Sequence, residues 1–193
     1  MPEVIAEVPG AIWIPAHTSR YRLRPQVQPD GPYSLAVIHI TSGHENFLGT
    51  VRMFQRAPGP NEKPSSAHFV VGRRAGELVQ CVSLRFAAFH AHSANNFSVG
   101  IEHAVRESKE FGPDDPGMPP TQEMYVTSSK LVAYLLKAAG KLPVHHGTIK
   151  GHNEADPQTT HTGCPDAGGW NWLHYMAMVE AEYAALGVVA PIV

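Results

Sequence analysis

The chain has 193 residues, enough for one domain whose core needs no disulfide support. Its 15 Lys and Arg against 17 Asp and Glu leave a net charge of −2 with no basic run, which excludes electrostatic capture of nucleic acid. Charged residues make up only 17% while Gly and Pro number 17 each, the balance of buried elements joined by irregular loops of the kind that carry sites.

The start, Met1-Pro2-Glu3, lacks the basic residues of a signal peptide, and no apolar run approaches the roughly 18 residues needed to cross a bilayer. We therefore expect a soluble chain without an export signal and without membrane insertion. Residues 1–33 are proline-rich and read as an ordered lead segment, containing Ile12-Trp13-Ile14 and wrapped over the same domain that occupies 34–193. Ser34 to Thr41 is a continuous apolar run rich in β-branched residues, the pattern of a central strand covered on both faces. His39 interrupts that run, and an imidazole there needs a hydrogen-bond partner or a metal. From Glu45 to Gln55, the spacing of Phe47, Val51 and Phe54 predicts a short amphipathic helix.

Ala67–Val71 and Glu77–Val82 flank Arg73-Arg74-Ala75-Gly76, a hairpin signal. Ser98–Val105 predicts a strand with Val99, Ile101, His103 and Val105 on one face and Gly100, Glu102 and Ala104 on the other. Small neighbours around Glu102 suggest room for a ligand beside a partly desolvated carboxylate; the alternative is an edge carboxylate in water. Phe111–Pro120 is a loop, and Thr121 caps a helix with a stripe of Met124, Leu131, Leu135 and Ala138, stopped by Gly140. Pro143–His152 gives a short apolar stretch and turn. A last helix is predicted from Trp170 to Leu186, with Trp172, Met176, Val179 and Tyr183 inward and Gly187 as stop. Strands alternating with helices predict an α/β fold, a central mixed sheet flanked by helices.

Cysteine and histidine carry the chemical information. Cys81 lies in a strand and reads as a small buried apolar residue, whereas Cys164, in the polar turn His161-Thr162-Gly163-Cys164-Pro165, reads as a ligand or nucleophile. A disulfide between the two is the alternative. The 12 histidines are scattered, so they are no tag. A catalytic zinc takes three N, S or O ligands and leaves a fourth position for water, and His39, His152 and Cys164 supply such a set from a strand end and two loops. Pro157, Gly163 and Pro165 suit a loop that folds back to bring the thiol in. A trio using His161 or His146 fits the same chemistry.

Six blocks, in order, resemble the zinc-dependent N-acetylmuramoyl-L-alanine amidases, a family that includes phage lysozyme-type amidases and peptidoglycan recognition proteins. They are Val37–Thr41, Ser66–Val71, Phe89–Ala91, Asn96–Glu102, Gly151–Glu154 and Thr162–Pro165. The lead segment's Trp13-Ile14-Pro15-Ala16 is similar to that of bacterial and phage members. The resemblance implies the family's α/β fold and makes 34–193 the catalytic domain. It implies a zinc ion held by His39, His152 and Cys164, and peptidoglycan as the substrate. Glu102 would be the general base; the tyrosine used in another branch is replaced here by Ala67. Thr162 stands where many members have an oxyanion-stabilising lysine, and a neutral hydroxyl is the weaker donor. His68, His90 and Asn96 would line the substrate groove. The reaction implied is hydrolysis of the lactyl amide between N-acetylmuramic acid and L-alanine, by a phage endolysin or a bacterial cell-wall amidase made in the cytoplasm and acting on the wall after release. The competing readings are a recognition module that holds peptidoglycan without cutting it, which would lack the cysteine ligand, and a structural zinc domain, which would need four protein ligands.

Overall fold

The computed structural model describes residues 6–25, 33–41 and 46–190. Met1-Pro2-Glu3 and the expected helix start at Glu45 lie outside the described residues. Strand β1 (Ile12–Trp13) is followed by β2 (Tyr21–Leu23), β3 (Leu35–Ile40), helix α1 (Phe47–Gln55), β4 (Phe69–Val71), β5 (Leu78–Gln80), β6 (Phe86–Ala88) and β7 (Ser98–His103). Helix α2 (Gln122–Ala138), β8 (Ile149–Gly151), the short α3 (His152–Ala155) and α4 (Trp172–Ala185) complete the order.

Six strands form one mixed sheet in the order β1-β5-β4-β7-β3-β8. Within this sheet and among the described residues, only the β4–β5 hairpin pairs antiparallel, and its turn uses Gly76 at φ 75°, a left-handed value that favours glycine. The other pairings are parallel, so β3 is flanked by β7 and β8 and all six of its residues are buried. The lead segment is built into this sheet, because β1 runs parallel to β5. It also forms a separate two-stranded sheet, β2 with β6, which periodicity does not reveal because Phe86–Ala88 is too short to show alternation.

Period-two alternation gives the sheet two unlike faces. Ile38, Ile40, Phe69, Val71, Val99 and Ile101 pack with residues of α2 and α4 in the main core. The other face carries Val70, Val79 and Cys81 against Val51 and Phe54 of α1. Asn46 caps α1 by accepting from Gly49 N at 3.0 Å, and Thr121 caps α2 by accepting from Met124 N at 3.1 Å. Helix α4 begins later than the sequence predicts, because Asn171 takes the capping position. Its inward residues are Tyr175, Met176 and Val179, while Trp172 and Tyr183 are only partly buried.

Candidate active site

The site grows from the register of the parallel strands. His39 of β3 pairs with Glu102 of β7, so the two side chains stand next to each other on the face opposite the main core. On the other side of β3, Ile38 pairs with Gly151, which ends β8, and His152 follows at once as the first residue of α3. Parallel strands ending together thus bring His39, Glu102 and His152 to one edge, the usual place for a site in an open α/β sheet.

Cys164 arrives on the loop after α3. Asn153 N donates to the Cys164 carbonyl at 3.0 Å, tying the loop to the start of that helix. Ile40 N donates to Cys164 Sγ at 3.4 Å, which places the sulfur at the end of β3. The donor atoms of His39, His152 and Cys164 lie within 4.8 Å of one another, and all three residues are buried. Both cysteines are free, and Cys81 belongs to the packing against α1.

The electrostatics follow from burial. Desolvation, followed by His90 and His152, pushes the His39 imidazole well below its ordinary value, and His152 is lowered by the same first cause. Neutral imidazoles are the form that binds a metal. Burial first and the Glu102 carboxyl second push the Cys164 thiol up, and burial pushes Glu102 up to about 8. A bound cation reverses both costs, since it favours thiolate and carboxylate alike. Glu102 Oε2 is buried with no hydrogen-bond partner among the described residues, an orphaned acceptor that calls for an explanation. Two imidazoles, a thiol and an unpartnered carboxylate beside them fit a zinc ion with an open fourth position.

Supporting bonds orient the ligands. Asp156 Oδ2 lies 3.5 Å from His152 Nε2 and 2.5 Å from His92 Nδ1, so one nearly fully buried carboxylate bridges a candidate ligand to the cleft rim. Against the upward push of burial, the His92 and Gln158 N bonds hold Asp156 below its usual range. The sequence signal for Asp156 is its position four residues after His152, one helical turn on. His90 Nδ1 meets His39 Nε2 at 3.0 Å, and Asn95 Oδ1 fixes the His90 segment by accepting from His90 N and Ala91 N.

These residues line a cleft of about 1240 Å³ that includes His39, His90, Glu102, His152, His161 and Cys164. Its lining also includes Arg52, Arg56 and Lys63, with Arg56 paired to Glu62.

Several sequence expectations need correction. The space over Gly100 is filled: a Cβ there would meet His90 Cγ at 2.5 Å, so the small residue accommodates a histidine rather than a ligand. His68 is fully buried beneath the cleft and does not line it. Its Nδ1 accepts from Gly100 N at 3.0 Å, which leaves Nε2 to donate to the Phe86 carbonyl at 3.0 Å. Asn96 is turned to Arg22, whose Nη2 donates to its Oδ1 at 2.7 Å; its neighbour Asn95 faces the cleft instead. Thr162 is exposed and outside the cleft lining, whereas His161, one residue earlier, lies within it.

The architecture is shared with proteins of known structure. It is similar to a selenomethionine derivative of AmpD, with a TM-score of 0.66 and 22% identity over 92% of this chain and 99% of that one. It is also similar to Drosophila peptidoglycan recognition protein SD, with a TM-score of 0.52 and 16% identity over 81% of this chain and 90% of that one. The fold is therefore of the peptidoglycan recognition protein and amidase type. N-acetylmuramoyl-L-alanine amidase A of Achromobacter lyticus is 30% identical over 96 residues, covering 50% of this chain and 48% of that protein. The chain thus spans about half the length of that relative. The family model of N-acetylmuramoyl-L-alanine amidase matches residues 29–167, and the chain belongs to that family.

Proposed function

We propose that this protein is a zinc-dependent N-acetylmuramoyl-L-alanine amidase that hydrolyses the lactyl amide of peptidoglycan, with His39, His152 and Cys164 as ligands and Glu102 as general base. The observation that carries this reading is Glu102, which lines the cleft in register beside His39 and whose Oε2 has no hydrogen-bond partner among the described residues. Zinc, when bound, supplies Lewis acidity toward the amide carbonyl and makes a water acidic enough to react near neutral pH.

The chain's own groups do the rest. Glu102 accepts the proton of the attacking water and holds it at a carboxyl oxygen until the C–N bond breaks, then delivers it to the alanine nitrogen as that nitrogen leaves. His161, in the cleft lining and with its ring 5.8 Å from that of His152, takes the oxyanion-donor role expected of Thr162. His90 positions His39 through the bond between their rings. Arg52 and Lys63 give the cleft lining a charge suited to the carboxylates of a stem peptide. We place the enzyme on the bacterial wall, as a phage endolysin or a cell-wall amidase. A recognition module is disfavoured by Cys164, a ligand that binding alone does not need.

The test is digestion of purified peptidoglycan by the zinc-loaded chain with mass analysis of the products. Intact glycan strands and stem peptides with a free alanine amine are expected. New reducing sugar ends, internally cut peptides or an undigested wall would each overturn the assignment.

A further inference from the structure

A second group of metal-ligating side chains lies outside the cleft, at the far edge of the sheet. His145, His146 and Glu154 place donor atoms within 4.8 Å of one another. Strand β8 is the outermost strand of the sheet, and His145 bridges to its first residue, Ile149. Glu154 stands in the single turn of α3, where its Oε2 accepts from Gly151 N at 3.4 Å and its Oε1 accepts from His146 Nδ1.

Three features of this cluster have no role in the cleft chemistry. His145 Nε2 is buried without a hydrogen-bond partner among the described residues. The ring is held by a stack on Trp172 at 4.3 Å, and Trp172 is fixed in turn because its Nε1 donates to Asp166 Oδ1 at 2.7 Å. His146 has φ 61°, a left-handed conformation that histidine adopts only occasionally, and its side chain is 68% exposed to solvent. Two imidazoles with one carboxylate make a nitrogen-rich set that suits zinc, nickel or copper, whereas calcium and magnesium prefer oxygen alone.

We propose that His145, His146 and Glu154 form a second site for a divalent transition-metal ion of the zinc class, independent of the amidase reading because it shares no ligand with the cleft. The His145 and His146 rings stack at 3.8 Å and 22°, so their in-plane lone pairs do not meet at one point as they stand. The exposed His146 turns out of the stack and gives up its bond to Glu154, and the ion then takes both groups as ligands. Water completes the coordination. The bound ion ties the turn at 145–146 to α3, the helix that opens with His152.

The test titrates the chelator-stripped full chain with Zn²⁺ by calorimetry and repeats the titration with Co²⁺, whose thiolate charge-transfer band reports Cys164 alone. Two equivalents are expected for the native sequence. The double substitution His146→Asn with Glu154→Gln should lose one of them and keep the thiolate band. Asn tolerates the left-handed backbone and Gln preserves the bond to Gly151 N, so the variant retains its fold. A native chain that binds one equivalent, or a double variant that still binds two, would overturn the second site. Cys164→Ala separates the two readings: it should abolish the band and one equivalent, and its failure to do so would count against the cleft assignment and not against this one.

Discussion

Glu102 and His103 are adjacent in β7, the first half-buried and the second fully buried, and they face opposite sides of the same sheet. His103 is fully satisfied: its ring nitrogens meet the His39 carbonyl at 2.8 Å and Ser128 Oγ at 2.7 Å, and Ser128 in turn meets Tyr175 OH at 2.9 Å. Glu102 has an oxygen with no hydrogen-bond partner among the described residues. Both are titratable groups in the same strand, His103 fully buried and Glu102 half-buried, yet one closes a structural network and the other lines a cleft. Burial alone therefore does not mark a functional residue; an unmet hydrogen-bonding demand that faces an accessible space does.

The largest effect is expected at Glu102. Glu102→Gln should retain fold and metal while hydrolysis of peptidoglycan falls by about 10²- to 10⁴-fold, the usual contribution of a general base, read as the rate of muropeptide release. Near-native turnover would remove Glu102 from the chemistry. One residue away, on the core face, the expectation inverts: Ile101→Ala, at a fully buried position, should cost about 2–5 kcal/mol of stability in a denaturant titration. Its residual folded fraction should keep nearly native turnover per molecule.

Two smaller effects sharpen the polar side. Asp156→Asn weakens the carboxylate that backs His152, and metal affinity by competition with a chelator should drop about 10- to 100-fold, with little change in thermal midpoint in the metal-free chain. The smallest effect is a pH dependence at Glu62, which accepts from Arg20 Nη2 at 2.6 Å and Arg56 Nη1 at 2.7 Å and so pins the lead segment beside the end of α1. The Arg20 bond first and the Gly59 N bond second lower its carboxyl from 4.5 to about 2. A depressed folded value stabilises above the unfolded one. That contribution should be intact above about pH 4.5 and fade as pH falls toward about 2, while Glu62→Gln should flatten this acid limb of the stability curve.

How far the site was legible depended on how each residue announces itself. His39 stood out because an imidazole ends an apolar strand, and Cys164 because a thiol sits in a polar turn that no packing requires. Asp156 and His92 did not, since an acid in an Asp-Pro turn and a histidine in a short loop are ordinary until their 2.5 Å contact is seen. The same holds for Arg24, a lead-segment residue whose buried guanidinium donates to the carbonyls of Leu84, Asn95 and Ser98, 60 to 74 positions away. Gly100 misled, because a missing side chain reads equally as space for a ligand or space for a neighbouring ring.

The sequence by itself determined the strands and helices whose patterns are long or capped: β3, β7, the β4–β5 hairpin, and α2 with its Thr121 cap. Those signals are local, set by side-chain period and backbone preference within a few residues. Tertiary structure alone decided the register that seats His39 beside Glu102, the return of the 156–166 loop to β3, and which of Asn95 or Asn96 and His161 or Thr162 faces the cleft. These are choices between neighbours one residue apart, and only packing against distant parts of the chain distinguishes them.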